Sequence, residues 1–287
     1  MAAKKDGVTE IEIMKVNRGL LDLYILGTTP MICNRMSEKA RHQILCPSGR
    51  KSGAEKASTL KHEPMQEFRA SPYVNSSNDG LTYLQHLASA FKGAMASAAL
   101  DLPGSSKAQI GRLAWVVGDR VDIYGVPKMF MSVVRSADMA KTPDIRTRVI
   151  IPRWACKVTI SFTTPLLREQ AVANLMSAAG LTQGVGDWRP EKGKGSYGSF
   201  EIVNHDDPRW LEVVKTGGRQ AQLEAMMNPA FYDDDTEEMY TWFVGEAKRR
   251  GFDRSKLMTD LPDYPHVEDE DGNQVGANGA NGHADVD

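Results

Sequence analysis

Apolar and β-favouring residues gather first at IEIMKV (Ile11 to Val16) and LLDLYILGTTP (Leu20 to Pro30), which predicts two strands, the second stopped by Thr-Thr-Pro. NRMSEKARHQIL then reads as a helix. From Cys46 to Asn78 the chain turns polar, carries Arg50, Lys51, Lys56, Lys61 and Arg69 and shows no apolar period, so it reads as a basic excursion outside the core. In LQHLASAFKGAMASAALDLPG, Leu84, Leu87, Phe91 and Met95 recur at spacings of three and four, predicting a helix that Leu-Pro-Gly ends. Its small residues, Ala88, Ala90, Gly93, Ala94 and Ala98, suit close packing against a sheet. Short β-rich runs follow: LAWVVG, VDIYGVP, KMFMSVVRS, TRVIIPRW and ACKVTISFTTPLL, with the polar SADMAKTPDIR projecting between the third and fourth. REQAVANLMSAAG predicts a helix closed at Gly180, a glycine-rich loop comes next, and SFEIV is the last strand. Beyond Pro208, RQAQLEAMM and TEEMYTWFVGEAKRR read as helices.

Helices interspersed with antiparallel strands in this order predict an α+β fold, most economically a ferredoxin-like or RRM-like βαββαβ core with insertions. The expected divisions are a core over 9–206, interrupted at about 46–78 and 135–150, a helical extension over 207–258, and a tail over 259–287. The tail is acidic and Gly/Asn-rich, the composition of a segment without a packed core.

Composition changes the picture mainly through charge. The 287 residues hold 35 Lys+Arg and 37 Asp+Glu, a formal net charge of −2. Eight acids (Asp260, Asp263, Glu268, Asp269, Glu270, Asp271, Asp285 and Asp287) fall after Thr259 with no Lys or Arg, so the preceding 258 residues carry 35 basic against 37 − 8 = 29 acidic groups, a net of +6. Neutral bookkeeping hides a basic body. Cys33, Cys46 and Cys156 are odd in number, far apart and without a CxxC pair, which argues against a disulfide framework and for a reducing, cytoplasmic setting. The start MAAKKDGVTEIEI is charged and lacks the apolar segment of a secretory signal. No stretch approaches the ~18 apolar residues that span a bilayer.

The segment richest in chemistry is GLTQGVGDWRPEKGKGSYGSF, from Gly180 to Phe200. Its glycines, Gly184 and Gly186 among them, allow backbone amides to approach an anion, while Arg189, Lys192, Lys194, Trp188 and Tyr197 suit phosphates and base faces. It is no Walker A loop, for GxxxxGK[ST] is absent, and a helix precedes it where a dinucleotide fold has a strand. The alternative is a long turn whose glycines only satisfy geometry. A second basic cluster, Arg135, Lys141, Arg146, Arg148 and Arg153, surrounds the projecting hairpin and suits tracking of phosphates.

A glycine-rich loop entering the last strand, preceded by a helix carrying Phe91-Lys92-Gly93-Ala94 and an opening strand that runs into Leu26-Gly27-Thr28-Thr29-Pro30, resembles the RAMP superfamily (repeat-associated mysterious proteins). The branch it is most similar to is the backbone subunit of CRISPR effector complexes. The resemblance covers roughly Ile11 to Val203 and implies a sequence-independent grip on one RNA or DNA strand, with head-to-tail assembly of copies along it. It also implies phosphate contacts from Lys92 and from the Gly184 to Gly198 loop with Arg189 and Lys192, and a thumb at Asp138 to Arg148. The acidic tail is more like the tails of single-stranded DNA-binding proteins, which fits a stand-alone or bacteriophage-encoded relative whose tail recruits other proteins or mimics nucleic acid.

Two further readings stay open. Some members of that family place a cleaving aspartate in the thumb, which makes Asp138 and Asp144 candidates for an endoribonuclease, although aspartates also cap turns. The other is a scaffold whose tail recruits partners. Cys33, His42, Cys46 and His62 lack zinc spacing, and no cofactor or metal is expected. His86 beside Leu87 reads as packed, Trp154 as core. Asp233, Asp234 and Asp235 read as a helix start with its acids at the positive dipole end. The reading as a whole is a non-enzymatic single-strand binder.

Overall fold

The computed structural model describes residues 13–36, 38–46, 60–135, 143–192 and 195–252. The fold is α+β with antiparallel strand pairing, and the chain forms two compact units, passing between them at 34/35, 85/86, 126/127, 149/150 and 217/218.

The first unit is organised on β1 (Asn17–Gly27), which pairs with β9 (Ala155–Thr164) along nearly its whole length, from Asn17↔Thr164 to Leu26↔Ala155. Strand order is β10–β1–β9–β6–β4, with β5 also paired to β9; here β4 is Leu84–Leu87, β5 Ala114–Val116, β6 Arg120–Tyr124 and β10 Phe200–Val203. The short β2 (Met31–Ile32) pairs with the end of β8 (Pro143–Ile151) at Ile151 and Ile150. Period-two alternation sends Leu23, Ile25, Cys156, Val158, Ile160 and Phe162 to one face, where all are buried. That face belongs with the helices α3 (Ala88–Ala98), α4 (Lys107–Leu113) and α5 (Glu169–Thr182). On the other face, α6 (Pro208–Thr216) sets Trp210 and Val213 on Leu26 and Ala155, with the Tyr24 ring edge-on to Trp210 at 5.2 Å.

Three expectations change here. The strand begins at Asn17, and Ile13 to Val16 are exposed and lie outside it; Ile11 lies outside the described residues. The predicted helix from Leu84 starts only at Ala88, because Leu84 to Leu87 alternate buried and half-buried as β4, a four-residue run whose i, i+3 leucines mimic a helical period. Gly180 is not the end of its helix. The helix continues to Thr182, and the left-handed residue is Gly184, φ +67°. Gly180 is glycine for another reason: a methyl group there would collide with the Phe200 carbonyl oxygen, so its bareness lets α5 lie against β10.

The second unit holds α1 (Glu38–Leu45), α2 (Pro64–Ala70), β3 (Tyr73–Val74) paired to the start of β4, β7 (Lys128–Arg135) beside β8, α7 (Arg219–Met227) and α8 (Asp234–Arg249). Part of the basic excursion is therefore core: α2 buries Met65 and Phe68, two positions too few to show a period in a seven-residue helix. Three buried polar side chains of this unit bridge its elements. Gln222 accepts from the Tyr83 and Leu84 amides at 2.8 and 2.9 Å, Ser71 accepts from Val149 at 2.8 Å, and Thr236 accepts from Met131 at 3.2 Å. Asp233 caps α8 by accepting from the Thr236 amide at 2.9 Å, as its acidic start predicts. No described helix is long and apolar enough to cross a membrane.

Candidate nucleic-acid interface

The glycine-rich loop belongs to the first unit and is closed chiefly by its own backbone. Gly184 donates to Ala179 at 2.9 Å, Val185 to Gly198 at 2.9 Å, Asp187 to Ile32 at 2.9 Å, Tyr197 to Trp188 at 3.2 Å and Gly198 to Pro30 at 2.8 Å. A Cβ at Gly195 would strike the Trp188 carbonyl, and one at Gly198 the Val185 carbonyl. These glycines thus serve close approach of backbone to backbone. Of the glycine amides expected to approach an anion, that of Gly184 is spent on closing the loop.

What the closure leaves displayed is aromatic. Trp188 has φ +52°, and it is the one non-glycine residue at positive φ among the described residues. A bulky side chain in the left-handed region costs of order 1–3 kcal/mol and persists only where its surroundings over-determine it. Here the Tyr197 amide holds the Trp188 carbonyl, and the two rings stand 6.2 Å apart at 45°, both half-exposed.

Arg189, expected as a phosphate contact, is half-buried and bonds within the loop: Nε donates to Glu191 at 2.7 Å and a terminal nitrogen to the Gly186 carbonyl at 3.0 Å. Glu191 also accepts from Ser97 of α3 at 3.2 Å, and Lys107 Nζ reaches the same Ser97 hydroxyl at 3.1 Å. Gln183 donates to Asp101 at 3.0 Å. The Lys-Gly-Ala helix and the glycine loop, far apart in sequence, are thereby tied together. Lys92 is half-exposed on that helix, and Gly93 next to it faces open space. His86 is buried with its ring edge-on to Phe91; burial first, and then the Arg189 and Arg120 charges, depress its pKa to about 4. Trp154 is core, its indole donating to the Thr29 carbonyl at 2.9 Å. Lys194 lies outside the described residues, and Lys192 sits in a short 3₁₀ turn, Pro190–Lys192.

The second basic cluster is dispersed. Arg148 is 2% exposed, donates to Ser132 at 2.7 Å and lies over the Phe130 ring at 5.9 Å. It is an internal cation, not a phosphate contact; Arg146, two residues earlier on the same face of β8, is exposed, because burial sets in along the strand only from Thr147 onward. Arg153 is in the other unit, in a two-pronged pair with Glu212 at 3.1 and 2.8 Å. Arg135 is exposed at the end of β7, and Lys141 and Asp138 lie outside the described residues.

Asp144, the other candidate cleaving aspartate, is held by Lys61 at 2.6 Å and by His62 Nε2 at 3.0 Å, while His62 Nδ1 meets Glu67 at 2.9 Å. The Glu67 hydrogen bond, opposed by partial burial and aided by both carboxylate charges, raises the His62 pKa. Burial would raise the Asp144 pKa, but Lys61 and His62 outweigh it and bring it down. When His62 is protonated both its nitrogens donate to carboxylates, which makes this arrangement an ionic clasp. Among the described residues no group of three His, Cys, Asp or Glu side chains is placed to hold a metal ion.

Comparison with known proteins comes to little. No family model matches the chain, and no curated protein matches it. Among solved structures, a chain of the Type III-B Cmr-beta complex bound to cognate target RNA, determined by cryo-EM, is similar at 14% identity and a TM-score of 0.32, over 65% of this chain and 59% of that one. The present chain thus spans less than two thirds of its match.

The sequence pointed to the loop without foretelling its composition. Glu191, Ser97 and Lys107, which join loop to helix, have no motif; only the run Trp188-Arg189-Pro190-Glu191, with an acid two residues after the arginine, hinted that the arginine is answered locally.

Proposed function

We propose that this protein binds single-stranded RNA or DNA without sequence preference, in head-to-tail copies along the strand, and that Trp188 and Tyr197 are its base-stacking platform. The observation that carries the reading is Trp188 itself, half-exposed beside Tyr197 and held in a conformation that a purely geometric turn would assign to glycine. Base stacking on an aromatic is sequence-tolerant and contributes about 1–3 kcal/mol per base. Lys92 and Lys107 on the adjoining helices would add phosphate contacts and a salt dependence. Arg189 contributes less than its position in the motif implies, because Glu191 neutralises it. The strand order β10–β1–β9–β6, with α3 after β1 and α5 between β9 and β10, supports the βαββαβ core on which the resemblance rests.

The test is fluorescence anisotropy of labelled single-stranded RNA, single-stranded DNA and duplex at two salt concentrations. Trp188→Ala should weaken single-strand binding about tenfold, leaving the salt slope unchanged, whereas Lys92→Glu should weaken it and flatten the slope. Absence of single-strand binding by the intact protein would overturn the proposal and leave the loop a structural closure.

A further inference from the structure

We propose that β1 is also a self-association strand, by which two copies of this chain pair antiparallel, edge to edge, about a two-fold axis at Leu20. This does not rest on the nucleic-acid reading. β10 pairs with β1 only from Tyr24↔Val203 to Gly27↔Phe200, whereas β9 runs along the opposite edge from Asn17 to Leu26. The seven residues Asn17–Leu23 therefore present one edge to which no described residue hydrogen-bonds. Such an edge is a template for another strand, and proteins blunt it with charges or cover it.

Here the charges select the partner. Register with Thr163, Ser161 and Thr159 puts Arg18, Leu20 and Asp22 on one face, Leu20 in the middle and 58% exposed. Turned antiparallel about Leu20, a second copy sets its Leu20 against Leu20, its Asp22 against Arg18 and its Arg18 against Asp22. The pairing is self-complementary, while a parallel in-register pairing would oppose like charges. Arg18 uses Nε on Ser161 at 2.7 Å and lies over Trp115 at 5.7 Å, and its terminal nitrogens bond nothing among the described residues. Asp22 already takes Lys157 and Thr159 at 2.8 and 2.6 Å, with capacity for another donor. Register is limited as well. Val203 occupies the lane at Tyr24 in each copy, so only the symmetric setting pairs all seven residues. Exposed Ile13, Met14 and Val16 just ahead of β1 add apolar surface at both ends of the seam.

Sedimentation equilibrium of the full chain without nucleic acid tests this, up to about 100 μM. A dimer is expected. Arg18→Asp and Asp22→Arg should each raise its dissociation constant about tenfold, through two symmetry-related like-charge contacts, and the double reversal should restore it. In a Cys46→Ser background, Leu20→Cys should oxidise to a disulfide-linked dimer, and Thr163→Cys, on β1's paired side, should not. Circular dichroism checks that each variant is folded. A monomer at the highest concentration, a dimer indifferent to the single reversals, or a dimer that Leu20→Cys fails to cross-link would overturn the proposal.

Discussion

The loop in the first unit and the basic segment in the second were equally polar on paper, and they are stabilised by opposite means. Around Gly184 to Gly198 the backbone does most of the closing, and Trp188 and Tyr197 stand half-exposed beside each other. Around Asp144 to Arg148 the side chains do the closing: Lys61 and His62 hold Asp144, Glu67 accepts from the Thr147 amide at 3.3 Å, and Ser132 takes Arg148. The lesson is that a run of Gly, Arg and Lys does not say whether its cations face solvent. Backbone closure adds no ion pair of its own, whereas ionic closure makes a region sensitive to pH and salt.

The sharpest way to break the loop is Gly198→Ala. The residue has φ +75° and no room for a Cβ against the Val185 carbonyl, so about 3 kcal/mol should be lost in urea unfolding. Trp188 fluorescence should shift with it.

Acid probes the first unit next. His86 is neutral when folded, with a pKa of about 4 against 6.5 unfolded, so the unfolded chain binds the extra proton. Stability should decline as pH falls from about 6.5 to 4, by roughly 3 kcal/mol in all, and His86→Gln should flatten that limb of the urea midpoint against pH.

The clasp in the second unit answers with the opposite sign. The His62 pKa is raised, so its contribution is complete below the unfolded value of 6.5 and is lost as pH rises through the folded one. Asp144, lowered, contributes above its unfolded value of 3.8 and is lost as pH falls through its folded one. His62→Gln should cost about 1 kcal/mol at pH 6 and less at pH 8.5, and high salt should shrink the difference. A constant cost across pH would deny the clasp its ionic character.

The smallest effect is a gain. Gly93→Ala, inside α3 with nothing within 4 Å of a Cβ, should stabilise by about 0.5–1 kcal/mol, the reverse of Gly198→Ala and for the reverse reason.

Much of the fold was legible because its signals are local. The apolar alternation of ACKVTISFTT, the small residues of the helix around Phe91 and the acidic start of α8 each depend on a handful of neighbours, and each is found where its pattern lies. Leu84 to Leu87 misled because four residues fit two periods, and α2 was hidden because seven residues bury too few apolar positions to repeat. The loop's importance was legible from its glycines and aromatics. Which glycines serve closure, and that Trp188 adopts the left-handed conformation beside Tyr197, were not, because both depend on which carbonyl lies opposite.

By itself, then, the sequence determined most of the element types, the α+β class and the basic bias of the body, since propensity, periodicity and charge are sums over neighbouring residues. Tertiary structure alone decided that Arg148 is an internal cation, that Arg189 answers Glu191, that His62 is clamped between two carboxylates and that Asn17–Leu23 is left with an open edge. A side chain's partner is set by strand register and helix placement, and those are fixed by burial of residues far away in the chain.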